Sequence, residues 1–341
     1  TGFGSADRYR RGMAQMRKII FFIGLMSTSV YGTTDYENCV LDAVSVDSSQ
    51  DTATQINQRC TSLKNEKKQT LGAISKRVKA EREFQWNRFV ITPHRRNYIL
   101  PYTHTSKLNR EAYEFAGDWA DEAKQYEAKL QLSIKVPINH QDIFRKNDAL
   151  YLGFTLQSWW QVYASEISAP FRETNYQPEL FYLTGLDWHP MGGNTGLILG
   201  IEHQSNGRTQ LLSRSWNRVY SSFLYEKGDF ALSFRPWYRL KEDKKKEPLD
   251  SEGDDNPDIE AYMGHFEVRT IYRSKEHEYG VMWRNNLRSD NKGAIELDWS
   301  FPLYGHLKGF VQYFNGYGES LVDYNISQQR IGIGILLTDI L

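Results

Sequence analysis

Beyond Tyr98 the chain alternates apolar and polar residues with a period of two. Ala128, Leu130, Leu132, Ile134 and Val136 share one face, and Lys129, Gln131, Ser133 and Lys135 the other. The pattern recurs in Phe230, Leu232, Phe234, Pro236 and Tyr238 against Ser233, Arg235 and Arg239. It returns in Ile295, Leu297, Trp299 and Phe301, and again in Ile331, Ile333, Ile335 and Leu337. Successive strand side chains point to opposite faces, so segments of about ten residues with this alternation mark a transmembrane β-barrel. Twelve are predicted, near 97–105, 125–137, 148–163, 178–188, 196–205, 215–226, 229–241, 259–273, 277–287, 292–301, 305–315 and 329–341. Such barrels keep long loops outside and short turns in the periplasm. The long connections 106–124, 164–177, 206–214, 242–258 and 316–328, together with the short 288–291, fall on one side. Lys227-Gly228, Ser274 to Glu276 and Pro302-Leu303-Tyr304 fall on the other, where the longer 138–147 is the exception. The expected fold is therefore all-β: a twelve-stranded antiparallel transmembrane β-barrel over 97–341. A soluble β-sandwich is the alternative that periodicity leaves open.

The N-terminal third reads differently. Leu63, Leu71, Ile74 and Val78 lie at helical spacing among Lys, Arg, Glu and Gln, which predicts a polar helix in a periplasmic segment over 33–96. Before it, Arg17-Lys18 precedes the apolar run Ile19–Met26 and small residues up to Gly32. This is the layout of a signal peptide, so 1–32 is set aside as upstream residues and leader. Export leads to an oxidising compartment, where Cys39 and Cys60, the only cysteines, are a disulfide candidate. By the chain-entropy model such a bridge contributes roughly 3 kcal/mol.

Composition narrows the function. Lys+Arg and Asp+Glu both number 42, so the net charge is zero and the electrostatic footprint of a nucleic-acid binder is missing. A mean hydropathy of −0.61 excludes a bundle of membrane helices but not a barrel. The 9 Trp, 21 Tyr and 17 Phe suit a barrel with aromatic girdles at both interfaces.

One strand carries chemistry. In Leu197–Arg208, His203 and Ser205 share the phase of Leu197, Leu199 and Ile201, the face turned to lipid. Ionisable groups there are costly and point to function. Residues two apart on a strand lie side by side, so the imidazole can take the hydroxyl proton of Ser205. Asn217 falls in the outward phase of the next strand and can orient the ring, as the third member of a triad does. His-x-Ser alone is short enough to occur by chance.

The surrounding residues carry more. His203-Gln204-Ser205-Asn206-Gly207-Arg208 and Ser213-Arg214-Ser215-Trp216-Asn217-Arg218 resemble the outer membrane phospholipase A family. So do Ser168–Tyr176, Asp255-Asn256-Pro257-Asp258-Ile259 and Gly316–Asn325, all in order across 150–341. The resemblance implies calcium-dependent hydrolysis of phospholipid acyl esters at the outer leaflet by a homodimer. It makes Ser205 the nucleophile, His203 the general base, Asn217 its orienter and the Gly207 N–H part of the oxyanion hole. It places calcium on oxygens of Arg208 and Ser213, with Ser168 supplied by the second subunit. Three positions depart from the family pattern. Gln210 stands where an acidic residue linked to a second calcium site is expected. Leu156 occupies the outward position of a dimer-gripping Gln, with Gln157 turned inward, and Leu341 replaces a terminal aromatic. The competing reading is a non-catalytic channel or structural barrel.

Overall fold

The computed structural model describes residues 72–84 and 91–340, apart from 117, 248, 251 and 306, together with 54, 55, 57, 58 and 87. The expected leader and both cysteines lie outside these residues. The chain divides into Thr1–Gln69 and Thr70–Leu341, and all that follows concerns the second unit.

Twelve strands run antiparallel and close on themselves: β1 Asn97–Thr105, β2 Tyr126–Pro137, β3 Ala149–Trp160, β4 Phe171–Leu186, β5 Asn194–Ser205, β6 Ser215–Lys227, β7 Phe230–Leu240, β8 Phe266–Ser274, β9 His277–Asn285, β10 Gly293–Tyr304, β11 Leu307–Tyr317 and β12 Ser327–Thr338. Each pairs with its sequence neighbour, and β12 returns to β1 through Ile331 opposite His104. A two-residue extension, Thr92–Pro93, pairs with the periplasmic end of β2. Closure leaves no unpaired barrel edge, which membrane-embedded backbone requires. No described helix is long and apolar enough to cross a membrane; the strands do so.

The alternation in the sequence is the alternation of faces. On β5, Ile201 is 53% exposed while its neighbour Glu202 is 4% exposed. Leu132, Leu152, Phe154, Val219, Phe234, Leu297 and Ile333 likewise stand on the outer wall. Two stretches depart from the predicted boundaries. β4 begins at Phe171 rather than near 178, because Arg172, Glu173, Asn175 and Gln177 find polar partners inside the barrel. Residues Ile259–Met263, predicted as strand, form a single helical turn that ends at Gly264 (φ 71°), and β8 starts at Phe266.

Ion pairs cross the lumen around a polar cavity of about 280 Å³. Arg96 bridges Glu278 (2.6 Å) and Asp298. Arg218 and Arg235 both reach Glu202, and Arg269 reaches Glu267 and Glu296, both at 3.4 Å. Arg239, also buried, pairs with Asp254 of the outer loop at 2.6 Å. At the periplasmic mouth lies helix α1 (Ala73–Phe84). Glu226 accepts the Ile74 (2.7 Å) and Ser75 (3.1 Å) N–H groups at its first turn. Arg77 donates to the Asp339 and Ile340 carbonyls, and Lys135 pairs with Glu81.

At the outer end, Glu319 accepts from Arg330 Nε (2.6 Å), Gln328 (2.9 Å) and Lys129 (3.1 Å). Burial alone would raise its carboxyl pKa, but Arg330 and Lys129 outweigh that and hold it at about 2. A carboxylate depressed in the folded state stabilises above its ordinary value of 4.5, and that contribution fades as pH falls toward 2. Glu319→Gln leaves two buried cations short of a partner. It is expected to cost about 3 kcal/mol, read as a lower guanidinium midpoint for detergent-refolded protein.

Candidate active site

Strand register assembles the site. In the β5–β6 ladder His203 lies opposite Asn217, and Ser205 opposite Ser215. On its other flank Ser205 faces Tyr176 of β4. His203 Nδ1 and Asn217 Oδ1 are 2.8 Å apart. His203 and Ser205 occupy successive outward positions, half-buried at the outer rim where β5 leaves the wall. The three residues singled out from the sequence are therefore neighbours on one patch.

The loop after Ser205 is built around Asn206, which is buried. Its N–H donates to Arg214 O (3.0 Å), and its side-chain amide donates to Leu212 O (2.7 Å). Its Oδ1 accepts from the N–H groups of Arg208 (3.3 Å) and Arg214 (3.0 Å). The loop is thus closed by one asparagine, whose role sequence reasoning missed. Gly207 has φ 61°, and a Cβ there would sit 3.1 Å from the Tyr176 ring. Both constraints favour glycine at this position two residues after Ser205.

Arg208 turns its guanidinium to the Phe171 (2.8 Å) and Arg172 (3.0 Å) carbonyls, which ties this loop to the start of β4. Ser213 Oγ donates to Asp255 Oδ2 at 2.6 Å, with Ser215 Oγ at 3.5 Å from the same oxygen. Lys245 Nζ reaches the other Asp255 oxygen. Asn256 Oδ1 accepts the Ser215 N–H at 3.0 Å, locking the following loop against β6. Asp255 was legible only as part of a matching segment with no assigned role. The hydroxyl and carboxylate of Ser213 and Asp255, with nearby backbone carbonyls, are the hard oxygen donors that calcium takes. Among the described residues no group of three or more Asp, Glu, His or Cys is arranged to hold a metal ion, so a cation there would lean on neutral oxygens.

Ser168 sits apart, in the short outer loop between β3 and β4. With Ala169 it forms a pair of left-handed residues, φ 62° and 46°. No hydrogen bond joins it to Arg208 or Ser213 among the described residues. Gln210 opens a short 3-10 turn, Gln210–Leu212, in the loop that carries Arg208. Gln157 lies against Gln131 at 2.6 Å on the lumen side, as expected, and Leu156 takes the outward position.

One further contact was not foreseen. Asn217 Nδ2 donates to Glu242 Oε1 at 2.8 Å, so the asparagine is held from both sides. Glu242 lies in a charged stretch that reads, from composition, as a solvated loop.

A family model described as phospholipase A1 matches residues 74–337. Phospholipase A1 of Klebsiella pneumoniae is 39% identical over 255 residues, covering 74% of this chain and 84% of that protein. Outer membrane phospholipase A from Escherichia coli, solved as an active-site mutant with alanine replacing asparagine, superposes with a TM-score of 0.71. The identity is 36%, covering 80% of this chain and 100% of that one. The Salmonella typhi outer membrane phospholipase, a dimer with bound calcium, gives 0.70 at 36% identity, covering 77% of this chain and 98% of that one.

Proposed function

The chain belongs to the phospholipase A1 family of outer membrane phospholipases, and from that premise we propose a Ser-His-Asn hydrolase acting on phospholipid and lysophospholipid esters. It is an outer membrane barrel and a phospholipase. The finer reading adds cleavage at both acyl positions and activation by dimerisation. The observation that carries it is the outward-facing His203–Asn217 hydrogen bond beside Ser205.

In this reading a lipid lying against the barrel wall presents its ester to Ser205 without leaving the outer leaflet. Ser205 Oγ attacks the carbonyl carbon, and its proton passes to His203 Nε2. The Gly207 N–H faces the oxygen that becomes anionic. His203 then gives the proton to the departing alcohol oxygen, leaving an acyl-serine. Water, deprotonated by the same imidazole, releases the fatty acid and restores Ser205. Asn217 is neutral and stabilises an imidazolium less than a carboxylate would. Oxygens of Arg208, Ser213 and Asp255 would hold calcium, with Ser168 of a second subunit, and the ion would supply positive field for the tetrahedral oxyanion.

A solved relative described as a calcium-bound dimer supports the dimeric reading. Crosslinking with and without calcium, run beside a fatty-acid release assay, tests it. Dimer yield and turnover are expected to rise together with calcium; full activity without crosslinked species would refute the dimer. The channel reading has the packed lumen against it. Planar-bilayer recordings are expected to show no sustained conductance.

A further inference from the structure

We propose that Glu242 is a positioning residue of this hydrolase, fixing the Asn217 amide in the one orientation that supports catalysis. The inference rests on the Ser205–His203–Asn217 reading above and adds a fourth member to it.

The two ends of an asparagine side chain have nearly equal size, and only hydrogen-bond partners decide which end faces a given neighbour. Turned one way, Asn217 Oδ1 accepts the His203 Nδ1–H, which leaves Nε2 with a lone pair for the Ser205 proton. Turned the other way, the NH2 faces Nδ1, the opposite tautomer is favoured, and Nε2 carries a hydrogen that blocks it as a base. A carboxylate can only accept. Glu242 Oε1, 2.8 Å from Nδ2, therefore admits the first orientation and rejects the second.

The backbone places Glu242 for this contact. Leu240, the last residue of β7, lies opposite Asn217. Tyr238 and Leu240 are exposed on the outer wall, and Glu242 continues their phase one step beyond the strand. The rest of the loop is zipped down around it. Asp254 N–H donates to Asp243 O at 2.7 Å, Lys244 and Asp254 form a parallel bridge, and Lys245 pairs with Asp255. Gly253, at φ 102°, lets the returning arm pass with its Cβ position 2.8 Å from Lys245 N. Glu242 is half-buried at the base of this clamp rather than free in a solvated tip.

The test is a double-mutant cycle in detergent-refolded full-length protein, with kcat and KM measured on micellar phospholipid at saturating calcium. A hydrogen bond to a charged group contributes about 1.5–3 kcal/mol, so Glu242→Ala is expected to lower kcat roughly ten- to a hundredfold with KM unchanged. In an Asn217→Ala background the same change is expected to have almost no effect, since the group it orients is gone. Glu242→Gln, which can still accept through Oε1, is expected to recover most of the lost rate. Full activity of Glu242→Ala overturns the proposal, as does an equal loss in both backgrounds or a rise in KM alone. Ser205→Ala run alongside separates the two levels. If it stays active, the triad itself falls; if it is inactive while Glu242→Ala is unimpaired, only the role of Glu242 falls.

Discussion

Replacing Ser205 by Ala is expected to lower phospholipid hydrolysis by roughly 10,000-fold or more, with the barrel still refolding to its native heat-modifiable form. The size of the loss follows from chemistry that no neighbour can replace. Tyr176 and Ser215 flank Ser205 in the ladders, yet only Ser205 lies two residues from His203 along the same strand. The hydroxyl lies on the wall rather than in the core, so its removal leaves no cavity and should cost little stability. His203→Ala is expected to lose about as much, and the double variant little more, because nucleophile and base act as one unit. Fatty-acid release from mixed micelles measures the rate, and labelling by a sulfonyl fluoride counts reactive serine. Substantial esterase activity in Ser205→Ala, or undiminished labelling, would end the assignment.

The second large effect concerns calcium. Chelation with EDTA is expected to reduce turnover by at least about a hundredfold, the scale of removing a main source of oxyanion stabilisation. Added calcium should restore it. Magnesium should not, since it demands a small octahedral shell and keeps its waters, whereas a serine hydroxyl, backbone carbonyls and one carboxylate form a looser set. Asp255→Asn tests the carboxylate. It keeps a partner for Ser213 Oγ but removes the formal charge, so half-maximal activity should move to at least about tenfold higher calcium with the saturated rate little changed. Lys245, which pairs with Asp255, should act in the opposite direction: Lys245→Ala frees the carboxylate and is expected to lower the calcium requirement. Turnover indifferent to chelation would remove calcium from the account.

The strands were legible because membrane and lumen impose opposite demands on alternate residues. Ile201 and Glu202 separate cleanly, and the lipid-facing phase of His203 and Ser205 follows from the same alternation. Where the alternation fades, so did the reading. At the start of β4, Arg172 is buried against Glu127 and Asp323, contacts made across the barrel that no local pattern records. Ile259, Tyr262 and Met263 are too short an apolar run to separate strand from helix. There the turn at Asn256-Pro257-Asp258 and the left-handed Gly264 decide for a helical turn. The proposed triad was visible because Ser205, His203 and Asn217 all sit on two adjacent strands in phase. Asp255 and Glu242 were not, because a charged loop looks the same in sequence whether it floats in water or clamps onto the site.

The outward placement of His203 and Ser205 bears on how the two reactants meet. Hydrolysis needs two reactants of opposite character, an acyl chain and water. Arg96, Arg218 and Arg235 are bridged across the interior and α1 is seated at the periplasmic mouth, whereas His203 and Ser205 face outward at the outer rim. Lipid therefore arrives sideways, along the hydrocarbon wall, while water descends from the external medium past the Asn206-centred loop. In the proposed mechanism the acyl-serine would form where these perpendicular approaches cross. Any small alcohol that partitions to the headgroup layer enters by water's path, and its acyl ester should accumulate in proportion to its interfacial concentration.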